Sequence, residues 1–347
     1  MGARTETLGT EAVEAAPELS IIIKTYNEAE KIAACLRSIL AETDARTTEI
    51  IVADSLSEDA TVAIAAGFPV QVVQMKSIAD RGCGSAGQLG FQYARGRRVL
   101  LLDGDMELAP GFLAAANAAL DDDQKLAGVA GIVIDKVLTL EFQRRGQKPP
   151  GATLPGIHDH LAGGGLFRME ALKDVGYLTD RNLHACEELE LGLRLSDQGW
   201  RLRRLDLPSV YHYGHATPPF RLLLRRWRTK YVFGQGELLR ATLGTQRAAR
   251  AFRGSLLYLT VIAWWALLLA TVAALVLSSS PLAWAIVLLV LLVAPLPLQV
   301  WRKHSLAMGV YSVGLLNFHA AGLVAGLLRP RTDPKRPIDS VIRHPRT

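Results

Sequence analysis

Two carboxylates one residue apart, Asp103 and Asp105, close a short apolar run from Val99 to Leu102. The run reads as a buried strand. Gly104 lets the backbone turn between the two acids without a Cβ clash. Buried parallel strands present ligand-binding groups at their carboxyl ends. Two carboxylates leaving such an end offer hard oxygen ligands suited to Mg²⁺ or Mn²⁺. An ion held there can bind a diphosphate and neutralise charge as the diphosphate departs. A plain strand followed by an Asp-Gly turn has the same composition, so the surrounding chain has to decide between the two.

Other stretches carry reactive groups. Cys186-Glu187-Glu188-Leu189-Glu190 opens a run whose alternation fits a strand but whose residue types favour a helix, with Gly199 suited to its end. Three glutamates within four residues are the usual make-up of a solvated face. Residues 82–87 match G-x-G-x-x-G. A dinucleotide fingerprint must directly follow the first strand, however, and here two βα units come before it. The loop is better read as opening a helix over about 84–95 whose N–H groups face phosphate. Gly163-Gly164-Gly165 lies between apolar neighbours, which points to close backbone packing rather than a linker. His212 and His215 each have an ordinary structural reading.

These groups need a scaffold. Leu19 to Lys24, Ile50 to Ala53 and Val70 to Gln74 read as buried strands, with helices expected over about 29–40 and 58–66. A β-α-β-α-β opening implies a Rossmann-like, mainly parallel sheet. Thr25, Asp54 and Asp103 then gather at its strand ends. Further on, a helix from Pro110 to about Leu120, a strand from Leu126 to Ile134 and a mobile loop over 141–157 are expected.

Charge divides the chain. Residues 218–347 hold 17 Lys/Arg and 3 Asp/Glu, whereas the chain as a whole is only +6. An acidic part is therefore joined to a basic one. The basic part borders long apolar segments, so anionic lipid headgroups suit it better than nucleic acid. The three cysteines are scattered and form no C-x-x-C, as expected for free thiols in a reducing compartment. Residues 1–17 read as a flexible polar tail without an apolar signal region.

The ordered motifs over about residues 19–240 resemble a family-2 glycosyltransferase of GT-A fold. Thr25-Tyr26-Asn27-Glu28 is similar to the family's first donor-binding loop, and Asp54 to its nucleoside contact. Asp103-Gly104-Asp105 resembles the D-x-D metal and diphosphate motif, and Gly163 to Gly165 the acceptor loop. "EELELGLRL" is similar to the E-D-x-D-L motif, which implies Glu188 as general base with Glu187 beside it at the acceptor. His212, or else His215, matches the position that completes the metal site. Where the family often has Arg-Asn, this chain has Gly87-Gln88. Gln88 is therefore carried over for donor binding, with Arg81 or Lys76 as substitutes at the diphosphate. The resemblance implies Mn²⁺ or Mg²⁺, a nucleotide-sugar donor and inversion at the anomeric carbon.

Residues 218–250 begin with an amphipathic stripe of Phe220, Leu224, Trp227, Tyr231 and Leu238, with basic residues off it, as in an interfacial helix. Arg226-Trp227 partly resembles the Q-x-x-R-W motif of polysaccharide synthases, which implies acceptor contact. No charged residue occurs from Ser255 to Trp301. At about 20 residues per span, this length fits two helices, over 255–277 and 282–301. Arg253 and Arg302-Lys303 at the ends place both on the cytosolic side. A third segment, 305–328, either spans against the positive-inside rule or is re-entrant or interfacial, and a basic tail over 329–347 follows. The expectation is thus a GT-A domain over 18–217 and a membrane region over 251–328, with catalysis at the cytoplasmic face of the plasma membrane. The acceptor would be lipid-linked, on a polyprenyl carrier. The rivals are a polyprenyl-phosphate sugar synthase, a nucleotidyltransferase lacking its glycine-rich first loop, and a non-catalytic membrane scaffold.

Overall fold

The structure, a computed structural model, describes residues 16–137, 154–214 and 217–346. His215, most of the 1–17 tail and most of the 141–157 loop lie outside them.

The domain is built on β1 (Leu19–Thr25), flanked in parallel by β2 (Thr48–Asp54) and β4 (Arg98–Asp103), with β3 (Gln71–Met75) beyond β2. Ile21, Ile22 and Ile23 are fully buried because helices cover both faces of β1. Ile21, Ile23, Leu100 and Leu102 join one core with α1 (Ile32–Glu42). Ile22, Val99 and Leu101 join the other. Removing each of these isoleucines from water stabilises the fold by about 2–3 kcal/mol. Short α2 (Thr61–Ala65) and α3 (Cys83–Phe91) carry the other two crossovers, from β2 to β3 and from β3 to β4.

The second half of the sheet is mixed. It is formed by β5 (Met106–Leu108), β6 (Leu126–Asp135), β7 (Gly156–His158), β8 (Gly165–Arg168) and β9 (Arg201–His212). β8 runs antiparallel to β4 and β6, while β6 and β9 are parallel. Helices α4 (Phe112–Asp122), α5 (Met169–Asp174) and α6 (Glu187–Asp197) pack on this part. The glutamate-rich run is helical, and Glu187 and Glu190 are buried rather than solvated.

The amphipathic stretch breaks into α7 (Pro219–Arg228) and α8 (Gly234–Thr242). Lys230 turns left-handed at φ 60° between them, and Tyr231 folds back under the Arg226 guanidinium at 5.1 Å. The apolar region forms α9 (Ala248–Leu277), α10 (Pro281–Val293), α11 (Pro295–Lys303) and α12 (Leu306–Leu328). Pro295 divides α10 from α11 because it lacks an N–H and crowds the preceding turn. Counting α10–α11 as one, three helices among the described residues are long and apolar enough to cross a membrane.

They differ in burial. The most apolar stretches of α9 and α10–α11 are 6% and 0% buried, whereas that of α12 is 33% buried. Helix α12 lies along the break and α8 through small residues. A Cβ on Gly322 would stand 2.3 Å from the Val232 carbonyl oxygen, and one on Gly326 would stand 2.2 Å from that of Phe233. After α12 the chain returns to the domain and adds β10 (Ser340–His344) antiparallel to β3.

Gly322→Ala should therefore lower the melting temperature in detergent by several degrees, as overpacking of about 1–3 kcal/mol does. Gly314→Ala, where the nearest neighbouring atom is 4.0 Å away, should be neutral or slightly stabilising through helix propensity.

Candidate active site

Parallel register places Thr25 opposite Asp54 and Lys24 opposite Asp103, so the ends of β1, β2 and β4 form one rim. Lys24, the last residue of β1 before Thr25, points into it. Its Nζ lies 2.9 Å from Asp103 Oδ1 and 3.1 Å from Glu187 Oε1, with only 10% of its side chain exposed. Burial alone would lower the lysine pKa, but Asp103 and Glu187 outweigh it and raise it, so the ammonium stays charged. Lys24 thus joins the D-x-D turn to the N-terminus of α6. Sequence reasoning missed it, although a lysine ending a buried apolar strand was a signal in plain view.

Glu188 sits beside Glu187 and accepts backbone N–H bonds from Gly163 (3.1 Å) and Gly164 (3.0 Å) to Oε1. Gly163 and Gly164 have φ of +82° and +87°, and a Cβ on Gly164 would stand 2.3 Å from the Leu101 carbonyl oxygen. Only glycine both reaches that conformation and lies flat on β4. The triple-glycine loop therefore aims its N–H groups at Glu188, and Gly165 begins β8 beneath. Burial, and next the Glu187 charge, push the Glu188 carboxyl up to about 7; Lys24 and the Gly164 N–H offset part of this.

Asp105 faces His212, at 3.3 Å from Oδ2 to Nε2, and His212 Nδ1 bonds Asp135 Oδ1 at 2.7 Å. Burial works against charge on the imidazole, but Asp105 and Asp135 together raise its pKa. Asp135, at the end of β6, is a second residue that the sequence did not disclose. A carboxylate behind one ring nitrogen, orienting the other toward a second acid, is how proteins prepare histidine for a metal. No three His, Cys, Asp or Glu side chains cluster as a metal site among the described residues. Asp105 and His212 nevertheless fit an ion that takes its remaining ligands from phosphate and water, the usual habit of Mg²⁺. Asp103 lies beside them, held by Lys24.

The donor-loop residues form a connected network. Asp54 is fully buried and accepts bonds from Thr25, Ser57 and Gln74. The Asn27 side chain accepts from the Glu58 N–H at 2.8 Å, and the Glu28 N–H reaches Thr61 Oγ1 at 2.8 Å. Arg81 stacks on Tyr26 at 4.5 Å and donates to Tyr26 Oη and to the Ser55 and Leu56 carbonyls, which clips the two loops together. A Cβ on Gly104 would meet Thr25 Cγ2 at 2.9 Å, so the D-x-D turn packs against the first loop. The Gln88 side chain, largely buried, accepts from the Leu178 and Thr179 N–H groups. Arg226 lies over Tyr231, and Trp227 packs edge-on against Phe233 and Phe318 of α12.

Lys24→Met leaves Glu187 buried, and Asp103 with 42% of its side chain exposed, without their cation. The expected cost is below the about 3–5 kcal/mol of breaking a wholly buried pair, because solvent compensates part of the Asp103 charge, and is read from thermal melts. The deficit should shrink as pH falls, because protonating the carboxylates removes the uncompensated charge.

The family model for glycosyl transferase family 2 matches residues 20–176, and that for glycosyl transferase family group 2 matches residues 150–297. Over 100 residues the chain is 34% identical to the succinoglycan biosynthesis protein ExoO of Rhizobium meliloti, which covers 28% of each protein. It is 27% identical to a dolichyl-phosphate hexose transferase of Haloferax volcanii over 55% of this chain and 82% of that one. The matched stretch is thus under a third of the first relative. The fold is similar to that of a mannosyltransferase from Pyrobaculum calidifontis solved with GDP-Man and Mn²⁺, at TM-score 0.55 and 22% identity over 89% of this chain and 87% of that one. Two family-2 glycosyltransferase models together match residues 20–297 of this chain, and its mixed α/β sheet is of GT-A type.

Proposed function

We propose that this protein is a membrane-bound inverting glycosyltransferase. It moves a sugar from a UDP- or GDP-sugar to a lipid-linked acceptor on a polyprenyl carrier, in surface polysaccharide or glycolipid assembly. The observation that carries this reading is Glu188, a carboxylate with its pKa near neutrality, held by the glycine loop beside the Asp103-Asp105 turn.

A sugar hydroxyl is a weak nucleophile at neutral pH. Glu188 is suited to take its proton in the transition state, since a base works best with a pKa near the working pH. Thr25 to Glu28, Asp54 and Arg81 shape the nucleotide side of the pocket. Asp105 and His212 would hold Mn²⁺ or Mg²⁺, with Asp103 adjacent; bound there, the ion would offset charge on the departing diphosphate. A single in-line displacement, with the acceptor entering on the Glu188 side, inverts the anomeric carbon. The bond to the diphosphate breaks as the new glycosidic bond forms, and the hydroxyl proton passes to Glu188.

The membrane part supports a lipid acceptor. Helices α9 and α10–α11 expose most of their large apolar side chains, as lipid-facing spans do. Arg253 and Arg302-Lys303 at their ends support, by the positive-inside rule, a cytoplasmic catalytic domain. Helix α12, packed on α8 and followed by a return to the sheet, belongs at the interface. Arg226 and Trp227, packed against Tyr231, Phe233 and Phe318, are the residues of α7 that this reading gives to the acceptor headgroup. Direct transfer to polyprenyl phosphate is the second reading, favoured by the similarity to the dolichyl-phosphate hexose transferase.

Calorimetric titration of the detergent-purified protein with nucleotide sugars, with and without Mn²⁺, tests the donor. One UDP- or GDP-sugar should bind in a metal-dependent way, and Asp105→Ala should weaken that binding at least about tenfold. Absence of binding in a folded protein would favour the scaffold. Glu188→Gln should keep donor affinity within about twofold while turnover drops roughly 10²–10⁴-fold; loss of both together would make Glu188 structural. Wild-type kcat/KM should fall as pH drops below about 7, because the protonated carboxyl cannot accept a proton. A flat profile from pH 5 to 8 would remove Glu188 as base.

A further inference from the structure

The basic residues after α12 are strapped across the catalytic domain. Arg331 Nη2 pairs with Asp180 Oδ2 at 2.6 Å, the Thr332 N–H donates to Asn182 Oδ1 at 2.8 Å, and the Ile338 N–H donates to Gln92 Oε1 at 2.7 Å. Ile338 is buried with Val73 and Met75. Strand β10 then sets Ser340 opposite Met75 and Ile342 opposite Val73. The segment has a defined register on the edge of the sheet that carries Asp54.

One side chain of β10 reaches further. Arg343 Nε donates to Gln74 Oε1 at 2.8 Å, and Gln74 Nε2 donates to Asp54 Oδ2 at 2.7 Å. A guanidinium has no acceptor, so it fixes the Gln74 amide with oxygen outward and NH₂ toward the carboxylate. Asp54 accepts the Ser57 N–H at 2.9 Å and also the Ser57 hydroxyl. Ser57 Oγ in turn accepts the Asn27 N–H at 2.9 Å. Asn27 and Leu56 have φ of +56° and +62°, a conformation that non-glycine residues hold only when their surroundings impose it. Both strained residues lie in loops joined by this run of bonds, whose far end is Arg343.

We infer that Arg343, on the strand that follows the membrane region, is a positioning residue of the nucleotide pocket. It acts through Gln74 and Asp54 on the loops at Asn27 and Ser57, and so couples seating of the membrane-proximal chain end to donor affinity. The inference rests on the reading of those loops as the donor site.

UDP and GDP, each with Mn²⁺, are titrated calorimetrically into the full-length protein in detergent. The wild type is compared with Arg343→Met, Gln74→Met, the double variant and Arg346→Met. Arg346 bonds Glu49 from the same segment but has no bond to Gln74, so it reports on strand docking alone. Arg343→Met should weaken binding of the preferred nucleotide roughly three- to tenfold. The double variant should be no weaker than Gln74→Met, as groups in series require, and Arg346→Met should stay within about twofold of wild type. Unchanged affinity in Arg343→Met, additive losses in the double variant, or an equal loss in Arg346→Met would each overturn the inference alone. A folded wild type that binds neither nucleotide would overturn the donor reading and this inference with it.

Discussion

The site depends on one buried cation. Asp103, Asp105, Glu187 and Glu188 converge where two strand ends meet a helix N-terminus, and burying like charges together is costly unless something compensates them. Lys24 does so by bonding Asp103 and Glu187 at once. It ties the Asp103-Asp105 turn to the helix that carries the proposed base, and moderates the rise in the Glu188 pKa. The arrangement works because Lys24 is fixed by β1, whose neighbours on both sides leave it no freedom of register.

Around that cation, backbone rather than side chains does much of the positioning. Gly163 and Gly164 present N–H groups to Glu188 while Gly164 lies flat against β4 and Gly163 against Val133 of β6. The same device recurs at the membrane side, where Gly322 and Gly326 let α12 approach the chain around Val232 and Phe233 until backbones touch. In both places a single methyl group would separate elements that have to meet.

The chain enters and leaves the membrane region from one body. Helix α9 starts beside α6, where Arg250 pairs with Asp197. After α12 the chain is bonded to the segment leading into α6 and to the edge of β3. The apolar helices are therefore held at both ends to the domain that carries the site, which limits how far the two can tilt relative to each other. Under the proposed transfer to a lipid-linked acceptor, such a restraint would keep the site at a fixed height above the bilayer.

Much of the catalytic half was legible in the sequence. Apolar runs such as "SIII" and "VLLL" can satisfy burial on two faces only as central strands. An acid at the end of such a strand lies on the rim that all parallel strands share, so Thr25, Asp54 and Asp103 were placed by local pattern alone. The long uncharged stretch likewise announced its helices, because 1.5 Å per residue and the apolar composition leave few other options. Pairings between distant segments had no local signature. Lys24 reads as the end of a strand until Glu187 arrives from 163 residues away, and Asp135 reads as a turn acid until β9 sets His212 against it. Gln88 occupies a promising motif position, yet its oxygen is claimed by the 178–179 backbone. The basic residues after 328 look like a tail in sequence, because the pairing of β10 with β3 and a side-chain bond across 269 positions, Arg343 to Gln74, leave no trace in composition. Local residue types determined which elements form and which rim they share; long-range packing decided which charges meet across it.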